Sequence, residues 1–468
     1  MNPFLNPINT LKFLKNYFSD ISRLNKLGPE EIKKYKDKSF KKIVKYAYTV
    51  PLYHDKYKKV GIHPDDIKGI DDIKKLPMIS KKDLRDNFPD KILPVGYKKE
   101  NAQVICSGGT TGKPVYVFYD FEIAARSTPL GVRIYKYLNL SWRKSKFVYV
   151  GELAENRAGK VYDKNFLSHI RSFLSLNNVM EIDINKPMKE IIQQLDFLQP
   201  DSIHSYPTVF QYLAYLKTKG YGKNLKPKIL SSTGTRLDDY TKTYVENAFG
   251  CPVLNLYASI EAGGSIAFEC LHRKWHINYD FFEIEAVNRN GELVSPGEKG
   301  QIVVTRLFGK GTPIIRYTGM EDWVSISEDE KCECGLQTPV FKNGVEGRIR
   351  NDIILPNGKI FSAATFCAIT PITQQLKTYK IKQYQIIQKK IDEIDILIVI
   401  DDDLRDVGPS VDLIIEKISQ VYQDIVGPDV KINVKEVKDI KSIVSTGPRT
   451  PIVISYVKPE DAYKIINK

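Results

Sequence analysis

A chain of 468 residues is too long for one ordinary hydrophobic core, so two or three domains are expected. With 42% hydrophobic and 27% charged residues it is too apolar for a disordered polymer, and six unevenly spaced Cys exclude a disulfide framework. The net charge of +14 suits acidic partners such as nucleotides, but the lysines are spread along the chain as on a solvated surface, and no nucleic-acid partner is assigned.

No apolar run reaches the ~18 residues of a membrane span, and the first fifteen residues lack a signal-peptide core, so a cytoplasmic location is expected. Helical spacing with lysines on the polar face runs over residues 11–46. A loop and a short helix capped by Ser80 follow within residues 75–90. Next, KFVYV (146–150) precedes a helix at 187–197, DSIHSY (201–206) a helix at 207–219, and KPKILSSTG (226–234) a helix at 238–249, before PVLNLY (252–257). This alternation predicts βαβ units and a largely parallel sheet.

From residue 281 the texture changes. FEIEAV, GELV, GQIVVTRL and PIIRYTG are separated by glycine-containing turns, which predicts antiparallel strands. The last part reads as a separate domain, with strands near 353–361 and 394–400 and a helix at 411–426. The expected fold is α/β. A large N-terminal domain (1–347) has mainly parallel sheets, helices and a β-rich subdomain; a hinge near 348–352 joins it to a small mobile α+β domain (348–468).

The sharpest motif is CSGGTTGKP (106–114). Its small residues let a loop wrap close to phosphate and offer backbone N–H groups, Ser107, Thr110 and Thr111 add hydroxyls, and Lys113 adds charge. It is not a Walker A loop, because Pro114 stands where the magnesium-binding hydroxyl would be. The bland alternative is a glycine-rich turn between strands.

This loop resembles the phosphate loop of the adenylate-forming superfamily, which includes acyl-CoA ligases, luciferases and peptide-synthetase adenylation domains. The resemblance implies that Ser107, Gly108, Gly109, Thr110, Thr111, Gly112 and Lys113 bind ATP. Further segments match in order. SSTGTR (231–236), with Gly234 and Thr235, resembles the adenine-side loop. YASIE (257–261) resembles the segment in which Tyr257 would stack on adenine, Ser259 would meet the α-phosphate and Glu261 would carry magnesium. RYTGMEDW (316–323) resembles the ribose-binding segment; that role falls to Asp322 one residue late, with Glu321 as the alternative. Gly347, Arg348 and Asp352 resemble the hinge, where Arg348 would contact ribose or phosphate. The N-terminal text, AYTVPLYHDKYKKVGI and KLPMISKKDLRDNF, is similar to the phenylacetate-CoA ligase branch. LPNGKIFS (355–362) is closer to its capsular polysaccharide biosynthesis relatives.

The resemblance implies ATP-dependent activation of a small-molecule carboxylate as acyl-AMP, with Mg2+ as cofactor, and transfer to coenzyme A or another thiol acceptor. The alternatives are an adenylyltransferase that stops at an AMP adduct and a non-catalytic nucleotide-binding homologue; a homodimer is compatible with all three. One departure stands out: GPRTPIVI (447–454) lacks the lysine that the superfamily uses near its C-terminus. Lys441 lies before this run, Arg449 within it and Lys458 after it; Lys441 is the preferred substitute, which gives Lys113, Glu261 and Lys441 as the catalytic set.

Cys270, His276, Cys332 and Cys334 form a second constellation of zinc-type ligands, with His272 competing for the nitrogen position and unrelated buried cysteines as the alternative. His54, His63, Tyr135 and Tyr137 are expected to pack or face solvent. His204 is expected to be a satisfied core histidine rather than part of an acyl pocket.

Overall fold

A computed structural model describes residues 7–107, 115–141, 144–151, 153, 178–328, 331–348, 353–361, 366, 368–378, 380–440 and 452–457. Among them no helix is long and apolar enough to cross a membrane. The N-terminal helical stretch is two helices, α1 (Pro7–Lys26) and α2 (Pro29–Tyr48). Pro29 at the first helical position, after an extended Gly28, forces the break. After α3 (Pro51–Lys59) comes α4 (Lys81–Asn87). Ser80 and Asp83 cap α4 reciprocally: Asp83 N–H donates to Ser80 Oγ at 3.2 Å, and Ser80 N–H to Asp83 Oδ2 at 2.8 Å.

β1 (Ala102–Cys106) and β2 (Tyr116–Asp120) form an antiparallel hairpin, and α5 (Phe121–Tyr137) follows, capped by Asp120. Then come β3 (Phe147–Gly151), β4 (Val179–Asp183), α6 (Met188–Leu198), β5 (Ser202–Ser205), α7 (Pro207–Thr218), β6 (Ile229–Ser232), α8 (Asp239–Phe249) and β7 (Val253–Ser259). The β-rich part supplies β8 (Gly264–Glu269), β9 (Trp275–Ile277), β10 (Phe282–Val287), β11 (Lys299–Arg306), β12 (Asp322–Ser327) and β13 (Val340–Arg348).

These strands make one 11-stranded sheet in the order β10-β11-β12-β13-β9-β8-β7-β6-β5-β3-β4. From β7 to β4 the pairing is parallel, and from β7 to β10 it is antiparallel. Thus the parallel and β-rich regions are continuous, and β7 is the strand where one regime becomes the other. Its first half pairs with β6 and its second half with β8, with a register shift between Tyr257 and Ala258. The parallel half buries Val148, Ile203 and Leu230 against α6 and α7, and its other face packs Phe147 and Ile229 near α5.

Two sequence expectations differ from the structure. PIIRYTG is not a strand: only Tyr317 bridges to neighbours, because Arg316 at φ 49° turns the chain out of extended geometry. GELV likewise contributes only the Val287–Leu293 bridge at the tip of a turn. The segment before α4 fastens this region, since Ile79 N–H donates to Arg316 O at 2.9 Å and Thr318 N–H to Ile79 O at 2.8 Å.

The C-terminal part is a separate small sheet domain. β14 (Ile353–Ile354) and β15 (Ile360–Phe361) pair, and α9 (Ile369–Gln375) follows. β16 (Ile381–Lys390), β17 (Glu393–Ile400), β18 (Lys431–Glu436) and β19 (Val453–Ser455) form a sheet in the order β18-β17-β16-β19. On it lies α10 (Val411–Val426), whose buried Ile414, Ile418, Tyr422 and Val426 recur every four residues on one face. The expected hinge residues 349–352 lie outside the described residues.

Candidate functional site

The end of β7 carries three side chains of the site. Ser259 donates through Oγ to Glu261 Oε2 at 2.7 Å, and Tyr317 donates through Oη to Glu261 Oε1 at 3.2 Å. Glu261 is only 6% exposed. Burial and the neighbouring carboxylate raise the Tyr317 hydroxyl far above its usual range, so it remains a donor. Arg306 Nη1 donates to the Glu261 carbonyl at 3.0 Å, fixing the turn in which Gly263 adopts φ 82°. Tyr317 and Arg306 were missed at the sequence level. For Tyr317 the signal was present in RYTGMEDW, a motif read only for its acidic residues.

Across the sheet, Tyr257 donates its hydroxyl to Asp322 Oδ2 at 2.7 Å, and Asp322 is buried at the start of β12. Glu321 instead pairs with Lys81 at 3.0 Å. Asp322 is also the register partner of Arg348 on β13. The Gly234 loop lies next to β7: Thr233 N–H donates to Ser205 O at 3.0 Å and its hydroxyl to Leu256 O at 3.1 Å, while Gly234 takes φ 84° in the following turn. Thr235 is half-buried beyond it.

Ser107 clasps the base of the β1–β2 loop, its N–H donating to Val115 O at 2.9 Å and its Oγ accepting from Val115 N–H at 3.0 Å. The hairpin reaches the turn of β7 through a bond from Tyr119 Oη to Ile260 O. Gly108, Gly109, Thr110, Thr111, Gly112 and Lys113 lie outside the described residues, as do Lys441, Arg449 and Lys458. Ser259, Glu261, Tyr257 and Asp322 therefore converge around the C-terminal end of β7, next to the Gly234 loop and the hairpin.

A second cluster forms where β8 turns into β9. The ligand atoms of Cys270, His276, Cys332 and Cys334 all lie within 4.8 Å of one another. The two segments meet because β9 pairs with β13, with His276 opposite Val340. Cys270 Sγ lies 3.6 Å from Cys332 Sγ, and Cys334 Sγ 3.2 Å from His276 Nε2. A tetrahedral ion with bonds of about 2.3 Å to sulfur needs sulfurs roughly 3.8 Å apart, so the set fits zinc. Thr338 Oγ1 lies 2.9 Å from His276 Nδ1 and orients the ring. His272 is not in this set; it faces Glu333 at 3.3 Å on the surface. His54 and His63 make local contacts, and Tyr135 stacks on Phe147 at 4.1 Å.

No protein-family model matches the chain. It is 27% identical over 359 residues to a phenylacetate-coenzyme A ligase of Pseudomonas putida, covering 73% of this chain and 76% of that one. It is 24% identical over 402 residues to protein CapK of Staphylococcus aureus, covering 84% and 83%. Among solved structures, 2-hydroxyisobutyryl-CoA ligase in the postadenylation state aligns with a TM-score of 0.76 at 17% identity, over 94% of this chain and 92% of that one. The same ligase in its thioesterification state aligns with a TM-score of 0.61. The chain is similar in sequence to phenylacetate-coenzyme A ligases and to CapK, and it has the fold of the acyl-CoA ligases with which it aligns.

Proposed function

We propose that the protein activates a carboxylic acid with ATP and passes the acyl group to a thiol, coenzyme A in the simplest case. The observation that carries this reading is the paired constellation on β7 and β12: Tyr257 on Asp322, and Ser259 with Tyr317 on Glu261. In this reading the Tyr257 ring faces adenine and Asp322 accepts the ribose hydroxyls. A carboxylate oxygen attacks the α-phosphorus of ATP, the bond to pyrophosphate breaks, and acyl-AMP forms. A thiolate sulfur then attacks the acyl carbon and AMP leaves.

Negative charge grows on the phosphoryl oxygens in the first step, so donors must be in place beforehand. Ser259, whose hydroxyl donates to Glu261 here, would turn it to the phosphate once Glu261 takes the metal, and the Ser107–Lys113 loop would supply backbone N–H groups and a cation. Glu261 would hold magnesium, which neutralises phosphate charge when bound; two hydroxyl donors leave part of its carboxylate's acceptor capacity open. A structural zinc on Cys270, His276, Cys332 and Cys334 belongs to the same proposal. It would tie the β8–β9 turn to the segment before β13.

The test is pyrophosphate release from ATP and magnesium with a panel of carboxylic acids, with and without coenzyme A. Acid-dependent pyrophosphate with a coenzyme A-dependent thioester is expected. Pyrophosphate without thioester would favour the adenylyltransferase alternative, and no pyrophosphate with any acid would overturn the ligase reading.

A further inference from the structure

The α5-facing side of the parallel sheet changes character along its strands. It begins apolar with Phe147 and Ile229, which join the core under α5. Two residues further on it is polar: Tyr149, His204 and Ser231 are register partners across β3, β5 and β6. This row stands near the carboxyl ends of parallel strands, the position where open α/β sheets take up ligands. The same strands run on into the Gly234 loop and, through β7, to Tyr257. The row therefore lies one step below the nucleotide-side residues.

Tyr149 in this row is partnered, whereas His204 is left open among the described residues. Tyr149 Oη meets Tyr206 Oη at 3.2 Å, and the rings of Tyr149 and His204 lie 5.4 Å apart. His204 is half-buried, and its ring nitrogens make no hydrogen bond among the described residues. Burial holds its pKa down at about 4, so at neutral pH it offers one N–H and one lone pair. A satisfied core histidine, the sequence-based expectation, would have spent both on protein partners.

We propose that His204, flanked by Tyr149 and Tyr206, recognises a hydrogen-bonding substituent on the acid, so that the substrate is a hydroxyl-, amino- or carbonyl-bearing acid rather than a plain hydrocarbon one. This deepens the ligase reading and rests on it. The test uses matched pairs: benzoic against hydroxybenzoic, phenylacetic against hydroxyphenylacetic, and butyric against hydroxybutyric acids. Relative kcat/KM from pyrophosphate release is compared in wild type, His204→Phe and His204→Gln. In at least one pair, wild type should favour the polar member by about tenfold, the scale of one hydrogen bond. His204→Phe should erase that preference without weakening AMP binding, and His204→Gln should retain part of it.

Calorimetry of the same acids in the presence of AMP gives a readout that needs no turnover. A polar preference there that His204→Phe removes supports the proposal even if no acid drives pyrophosphate release, in which case only the ligase reading falls. Equal binding of all pairs, or a preference that survives in His204→Phe, overturns the proposal.

Discussion

At the residue scale, the site depends on where two carboxylates are held. Asp322 is buried and already receives one hydroxyl, from Tyr257 at 2.7 Å. Charge-assisted hydrogen bonds are worth about 1.5–3 kcal/mol. Asp322→Ala should therefore weaken AMP binding by at least about tenfold in calorimetry, whereas Tyr257→Phe, which keeps the ring, should change it roughly twofold. Unchanged affinity in Asp322→Ala would sink the ribose assignment. From RYTGMEDW the sequence reading places the ribose role on Asp322, with Glu321 as the alternative. Folding separates the two: Glu321 sits at φ 60° and turns to Lys81, while Asp322 begins β12 and faces Tyr257. The cysteine–histidine set was legible as ligand types, and only the β9–β13 register decided that His276 rather than His272 joins it. Purified protein should carry one zinc per chain, and Cys332→Ser should lower metal content and Tm together. Protein that is metal-free when purified without chelator would remove the zinc assignment.

At the scale of elements, α1 and α5 are joined by a buried ion cluster that no local pattern announced. Arg133 lies 2.7 Å and Arg23 2.9 Å from Asp280, while Arg126 donates to Asp20 at 2.8 and 2.9 Å. Its members come from helices and a loop far apart in the chain, which is why periodicity could not show it. By contrast α10 and α4 were readable, because four-residue spacing and a Ser80–Asp83 cap are local signals. Burial alone would raise the Asp280 pKa, but the Arg133 and Arg23 guanidiniums hold it below the usual carboxylate range. A lowered folded-state pKa contributes stability that is fully present above the unfolded value of about 4 and is lost as pH falls through the folded value. Asp280→Asn should cost about 3–5 kcal/mol, because it leaves buried guanidiniums uncompensated. It should also flatten the acid limb of stability against pH below about 4. Chemical denaturation at several pH values measures both effects, and an acid limb as steep as that of wild type would show that Asp280 does not carry it.

At the scale of the whole molecule, the small domain rests on α7 and α8 of the large one. Tyr240 donates through Oη to Ile381 O at 3.1 Å, and Lys382 Nζ stands 4.6 Å from the centre of the Tyr215 ring. Lys219 reaches Asp403 at 2.9 Å and Asp401 at 3.5 Å. These contacts belong to the domain arrangement observed here. Each is modest: a pair with an exposed partner such as Lys219–Asp403 is worth about 0–1 kcal/mol, a cation–π contact about 0.5–1 kcal/mol and a hydrogen bond about 0.5–1.5 kcal/mol. Together they can bias an orientation by about tenfold without locking it. On the proposed ligase reading, Lys219→Ala combined with Lys382→Ala should shift the ratio of pyrophosphate release to thioester formation from supplied acyl-AMP several-fold. An equal fall in both half-reactions would mean that the contacts support the fold rather than the orientation. On the proposed ligase reading, the assignment of Lys441 to the first step separates the same two steps. Lys441→Ala should slow pyrophosphate release by on the order of 10²–10³, as loss of a transition-state donor does, and spare the second step. If neither Lys441→Ala nor the corresponding variants of Arg449 and Lys458 slow it, the tail supplies no cation to the α-phosphate, and Lys113 with the bound metal must carry that charge.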